Sequence, residues 1–159
     1  MGAKAEALAK QFEAKVQEST AVLEKLSDAD WKKVTAAEKW SVAATAHHVA
    51  GSHEQIANII KVVAAGQSVP GFTMEMLNAS NDQHAKDFAA VSKADTIALH
   101  KKGAAAAAAA VRALDDGQLG KSGTVLAGMP AMSAEQVISG ILINHIDDHF
   151  GSIKKTVGA

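Results

Sequence analysis

Apolar side chains recur at three- and four-residue steps over most of this chain, and almost nothing follows the two-residue rhythm of a strand. Leu8, Phe12, Val16, Leu23 and Leu26 form one such stripe and predict a first helix over roughly 3–26. Ser27 to Asp30 breaks it. A second stripe of Val42, Ala46, Val49, Ile56, Ile60 and Val63 follows Ser41, a suitable N-cap, and runs to about residue 64. Thr73 to about Leu114 reads as a third helical arm, broken near Ser92, with Ser92 or Asp95 capping its second piece. Within it, Ala104 to Ala110 is read as helix because alanine is the best helix former and Ile97, Val111 and Leu114 keep helical spacing around it. Ser133 and Gln136 make a capping box for a last helix to about Lys155. Pro70 beside Gly71 and Pro130 near Gly128 mark loops, and Asp115 to Met132 is a long glycine-rich connection. Inside it only Thr124 to Leu126 could extend or form a small hairpin. The expected fold is all-α: a four-helix bundle in one domain over 1–159, with its third helix kinked or split.

A chain of 159 residues can bury one core of useful size. Its 16 lysines and arginines against 17 aspartates and glutamates leave a formal charge of -1, which excludes the basic face of a nucleic-acid binder. No apolar run approaches the ~18 residues of a membrane span. The charged N-terminus lacks the apolar stretch of a secretory leader, so no membrane partner is expected and the cytoplasm is the expected location. The absence of cysteine removes disulfides, thiolate metal sites and a cysteine nucleophile together. Soft-metal chemistry would therefore fall to the seven histidines, five of which lie in the segments 47–53 and 145–149.

His145 and His149 are four residues apart, which stacks their rings on one helical face about 6 Å apart along the axis. Ile138, Leu142 and Ile153 project onto that face too, so the pair is expected to point inward. Buried imidazoles need partners for their nitrogens, and a divalent metal supplies one. Asn144, Asp147 and Asp148 are local candidates to accept from the far side of the rings. The spacing alone leaves open a second reading, in which both are core residues bonded to backbone. On the second helix the 100° projection puts His53 in the middle of the apolar stripe, His48 at its edge and His47 facing solvent. A thermolysin-like site is excluded by Ile146 in the glutamate position of HExxH, and a ferritin-like centre by the lack of any Glu-x-x-His. No glycine-rich phosphate loop is present. His84 and His100 are expected to be structural or solvent-facing, Trp31 and Trp40 to pack the connection between the first two helices, and Met74 and Met76 to fill core.

Three stretches resemble the DinB/YfiT-like superfamily of metal-binding four-helix bundles. They are Trp40-Ser41-Val42, the string from His47 to His53, and His145-x-x-x-His149-Phe150-Gly151. The resemblance implies His48, His145 and His149 as the ligands of a divalent metal (Zn, Ni or Fe), choosing His48 where the projection favours His53. His53 would then line the pocket or support the ligands, with Ser52 and Asp148 as further pocket candidates. The sequence departs from the YfiT-like branch at Asp148 and Ser152, where that branch carries further histidines. Catalytic relatives resemble transferases that join a low-molecular-weight thiol, such as bacillithiol or mycothiol, to an electrophilic small molecule. Three histidines leave a coordination position vacant, as such chemistry requires, and the thiol must come from outside a chain without cysteine. Hydrolysis at the same ion, or a non-catalytic metal-stabilised or ligand-sensing bundle, are the alternatives. The resemblance also implies a homodimer.

Overall fold

The computed structural model describes residues 2–159. Four long helical units form a bundle: α1 (Ala3–Lys25), α3 (Val42–Ala64), α5 (Lys93–Arg112) and a final unit. That unit is built from α7 (Ala134–Val137), a π-helical turn (Ile138–Ile143) and α8 (Asn144–Val157). Shorter elements join them: α2 (Asp28–Lys32), α4 (Met74–Asp87) and α6 (Asp116–Leu119). The caps are local chemistry. Ser41 accepts from the Ala44 amide, Ser92 from Asp95, and Ser133 and Gln136 satisfy one another's amides in a capping box.

The third arm is split, and the structure gives the reason. At the break Trp31 Nε1 donates to the Val91 carbonyl (2.7 Å) and Ser41 Oγ donates to the Ala89 carbonyl (2.8 Å). Carbonyls that a continuous helix would use internally are taken by the start of α3 and the end of α2. Beyond the break α5 packs on α3 and α1. Its small residues allow the approach: Ala104, Ala107 and Ala108 are buried, and a Cβ on Gly103 would lie 3.1 Å from the Ala50 carbonyl oxygen. Phe12, Leu23, Ile60, Leu119, Ile138, Leu142 and Ile153 fill the centre.

Three expectations need correction. Met74 and Met76 are 46% and 52% exposed, because α4 lies against α3 alone and buries little besides Ala85. The 115–132 connection is not one unstructured loop, since it holds α6 and β1 (Ser122–Gly123), which pairs antiparallel with β2 (Met132–Ser133). Thr124 to Leu126 is outside that ladder and runs beside the 68–72 segment. There the Val69 amide donates to the Thr124 carbonyl (2.9 Å) and the Ala127 amide to the Phe72 carbonyl (2.7 Å). Gly123 permits the crossing, for a Cβ there would overlap the Gln67 carbonyl. No helix among the described residues is long and apolar enough to cross a membrane.

Candidate metal centre

α3 delivers His48, and α8 delivers His145 and His149 from the far end of the chain. One ring nitrogen from each lies within 4.8 Å of the others, and His48 Nε2 is 3.0 Å from His145 Nε2. Ring centroids stand 4.5 to 4.9 Å apart in edge-to-face arrangements. Burial, reinforced by the neighbouring imidazoles, pushes the basicity of His48 and of His145 down to about 3. Both rings are therefore neutral at ordinary pH and present lone pairs, which is the form a metal takes.

His149 is oriented by a carboxylate distant in sequence. Its Nδ1–H donates to Glu38 Oε2 (2.7 Å), leaving Nε2 for the cluster, while Ser152 Oγ donates to Glu38 Oε1 (2.6 Å). Burial alone would raise the Glu38 carboxyl, but hydrogen bonds from Ser152, His149 and Thr35 hold it below the ordinary carboxylate value. Glu38 sits in a tight loop closed by the Thr35 amide on the Trp40 carbonyl (2.9 Å) and by a bridge between Val34 and Ser41. Lys39 takes a left-handed φ of 63° to complete it. Trp40 stacks on His149 (6.2 Å) and meets His48 edge-on (5.3 Å), so it packs the centre as well as the start of α3.

The donor set fits a divalent ion: three imidazoles converge, and one is steered by a carboxylate in the way metal-bound histidines are. The Nδ1 of His145 is buried without a partner. Beside the centre a cleft of about 360 Å³ opens between α3, α4 and the final helix, with His48, Ser52 and His145 on its wall.

The family model for the mycothiol maleylpyruvate isomerase N-terminal domain matches residues 12–140, stopping short of His145 and His149. The chain belongs to that family. It thereby falls within the DinB/YfiT-like superfamily, as the motifs imply. The mycothiol-dependent maleylpyruvate isomerase has a similar fold, with a TM-score of 0.73 at 14% identity over 94% of this chain. This chain spans only 60% of that enzyme's length. YfiT from Bacillus subtilis, described as a probable metal-dependent hydrolase with an unusual four-helix bundle topology, aligns with a TM-score of 0.70 at 17% identity. That alignment covers 98% of this chain and 86% of YfiT. No curated protein sequence matches the chain.

In this member of the family the remaining candidates lie elsewhere. His53 is 1% exposed and turns away from the cleft wall: its Nε2 is 3.0 Å from His100 Nδ1, and His100 Nε2 is 2.8 Å from Ser19 Oγ. His100 is thus fully buried, not solvent-facing. His47 is half-buried, against expectation, because it stacks on Phe88 and pairs with His84 through Nδ1 and Nε2 at 2.8 Å. Ser52 reaches the cleft but donates its hydroxyl proton to the His48 carbonyl. Asp148 accepts from Asn144 and lines a shallower depression that contains no imidazole. Asp147 pairs with Lys15 at 3.0 Å. None of the three local candidates hydrogen-bonds a ligand ring; Glu38 does. The signal that could have found it is a carboxylate two residues before the Trp40-Ser41-Val42 motif.

Proposed function

We propose that this chain is a metal-dependent enzyme in which His48, His145 and His149 hold a divalent ion and a low-molecular-weight thiol is joined to an electrophilic small molecule. The observation that carries this reading is the convergence of three imidazole nitrogens within 4.8 Å beside an open cleft. Membership of a family named for a mycothiol-using isomerase supports the thiol. Bound there, the ion would supply Lewis acidity, lowering the pKa of a thiol or a water beside it so that its proton is lost to solvent. The residues of the chain do the rest. Glu38 fixes the ring plane of His149 and keeps its Nδ1 protonated, Trp40 shields one side from water, and the cleft holds the electrophile against His48 and His145.

Hydrolysis at the same centre is the second reading, and the likeness to YfiT favours it. Protein purified without a nickel tag is assayed by elemental analysis, then offered an electrophile with and without mycothiol, metal-loaded and chelated. Turnover that needs both metal and thiol is the expected result. Turnover of an ester with metal alone selects hydrolysis, and one equivalent of metal with no turnover selects a non-catalytic bundle.

A further inference from the structure

We propose that the cleft beside the three histidines receives the body of an uncharged, largely apolar molecule, and that its walls beyond the imidazole end select substrates by excluding charge. The inference deepens the enzymatic reading above and rests on it for the word substrate. Its evidence is separate. Ile59, Phe72, Leu77, Leu126 and Ile141 supply the apolar walls, and no lysine, arginine, aspartate or glutamate lines the cleft. Four other surface depressions each include at least one lysine. Apart from the two imidazoles, the polar groups here are Ser52, Gln55 and Asn81, all neutral. Ser52 has already committed its proton to the His48 carbonyl, so it adds no free donor.

A carboxylate or sulfonate among these walls, away from the imidazole end, would lose its hydration and find no ion pair in return. An apolar ring system would lose nothing and shed its own hydration shell. The walls are preformed, since Phe72 and Leu126 lie on segments stitched together by the Val69–Thr124 and Ala127–Phe72 hydrogen bonds. About 360 Å³ accommodates a molecule of two or three rings. Its reacting atom would lie at the imidazole end, because His48 and His145 belong both to the wall and to the metal centre.

The test uses two probes with one scaffold: N-phenyl-1-naphthylamine, which is neutral, and 1-anilinonaphthalene-8-sulfonate, which carries a sulfonate. Each is titrated by fluorescence into chelated and into metal-loaded protein. The neutral probe is expected to bind one to one, at least tenfold tighter than the sulfonate, in the chelated protein. Ile59→Trp, which fills the cleft, should weaken the neutral probe at least tenfold without changing metal uptake. Leu77→Arg, on the little-buried helix α4, should turn the preference towards the sulfonate. Equal or tighter sulfonate binding by the unaltered chain when chelated, or indifference to both substitutions in folded protein, overturns the proposal. Metal uptake reports on the enzymatic reading independently. A chain that takes no metal yet prefers the neutral probe supports this inference and sinks that reading; one that takes metal and prefers the sulfonate does the reverse.

Discussion

His48 and His53 lie five residues apart on α3, and their rings enter two different imidazole groups. His53, His100 and Ser19 form a string in which each ring meets the next partner in line, sealed by Phe12 (5.3 Å) and Phe150 (5.8 Å). His48, His145 and His149 instead aim one nitrogen each at a common point and border a cleft. Depressed basicity does not separate the two, since burial pushes His53 to about 3 and His100 to about 4, and pushes His48 and His145 of the outer group down to about 3 as well. The difference lies in where the lone pairs point. Nitrogens paired along a string hold a core together, whereas nitrogens converging beside a cleft could hold a cation. A perturbed histidine marks a candidate site only when geometry adds convergence and access.

The sharpest test of that contrast is metal uptake. His145→Ala or His149→Ala should abolish it, while His84→Ala and His100→Ala should retain one equivalent by elemental analysis; equal uptake by all four breaks the distinction. The inner string should answer in stability instead. Losing the His100 ring opens a cavity and strands His53 Nε2, at a cost of about 3 kcal/mol in urea unfolding.

Acid should act on the same string. His53 and His100 stay neutral in the folded chain far below pH 6.5, whereas the unfolded chain protonates them near that value. Their stabilisation is thus complete above pH 6.5 and declines as the pH falls. Each ring contributes about 1.4 kcal/mol per pH unit, so these two account for about 2–3 kcal/mol of the loss between pH 6 and pH 5 in chelated protein, where His48 and His145 add a comparable share. An unchanged urea midpoint over that interval would contradict the assignment. Glu38→Gln keeps the shape of the outer support but removes its charge. Competition with a chelating dye should show metal affinity down 10–100-fold, about 1.4–2.7 kcal/mol, and undiminished affinity would make Glu38 a bystander. Smallest of all is Lys39→Gly, which relieves the left-handed residue of the Glu38 loop and should change thermal stability by under about 1 kcal/mol with metal affinity intact.

What could be read in advance was local. Ser41, Ser92 and Ser133 cap helices because a hydroxyl three residues ahead of an amide is a short-range arrangement, and the apolar stripes needed only helical period. Projection found the deep burial of His53 correctly, but a wheel measures burial and is blind to convergence between helices. Only the resemblance to known bundles pointed to His48. Glu38 was invisible because it meets His149 across 111 residues, whereas the candidates considered were neighbours on the ligand helix. Met74 and Met76 were misread for a related reason: α4 has helical sequence but only one helix to lie against. The π-helical turn carried no sign in composition, since Ile138, Ile141, Leu142 and Ile143 would suit an α-helix equally well.

That turn has a consequence for the direction of the ligand rings. The core-facing line of the last helix passes through Ile138, Leu142, Ile146 and Phe150, a spacing of four throughout, and all four are buried. Ordinary α-helical winding would let that line drift sideways with every step, and the wider coil over Ile138–Ile143 absorbs the drift. His145 and His149, each one residue earlier, are thereby swung about 100° off the line. Wound as α throughout, the same residues would bring both imidazoles round towards the azimuth of Ile138, down among the aliphatic side chains and out of reach of a solute.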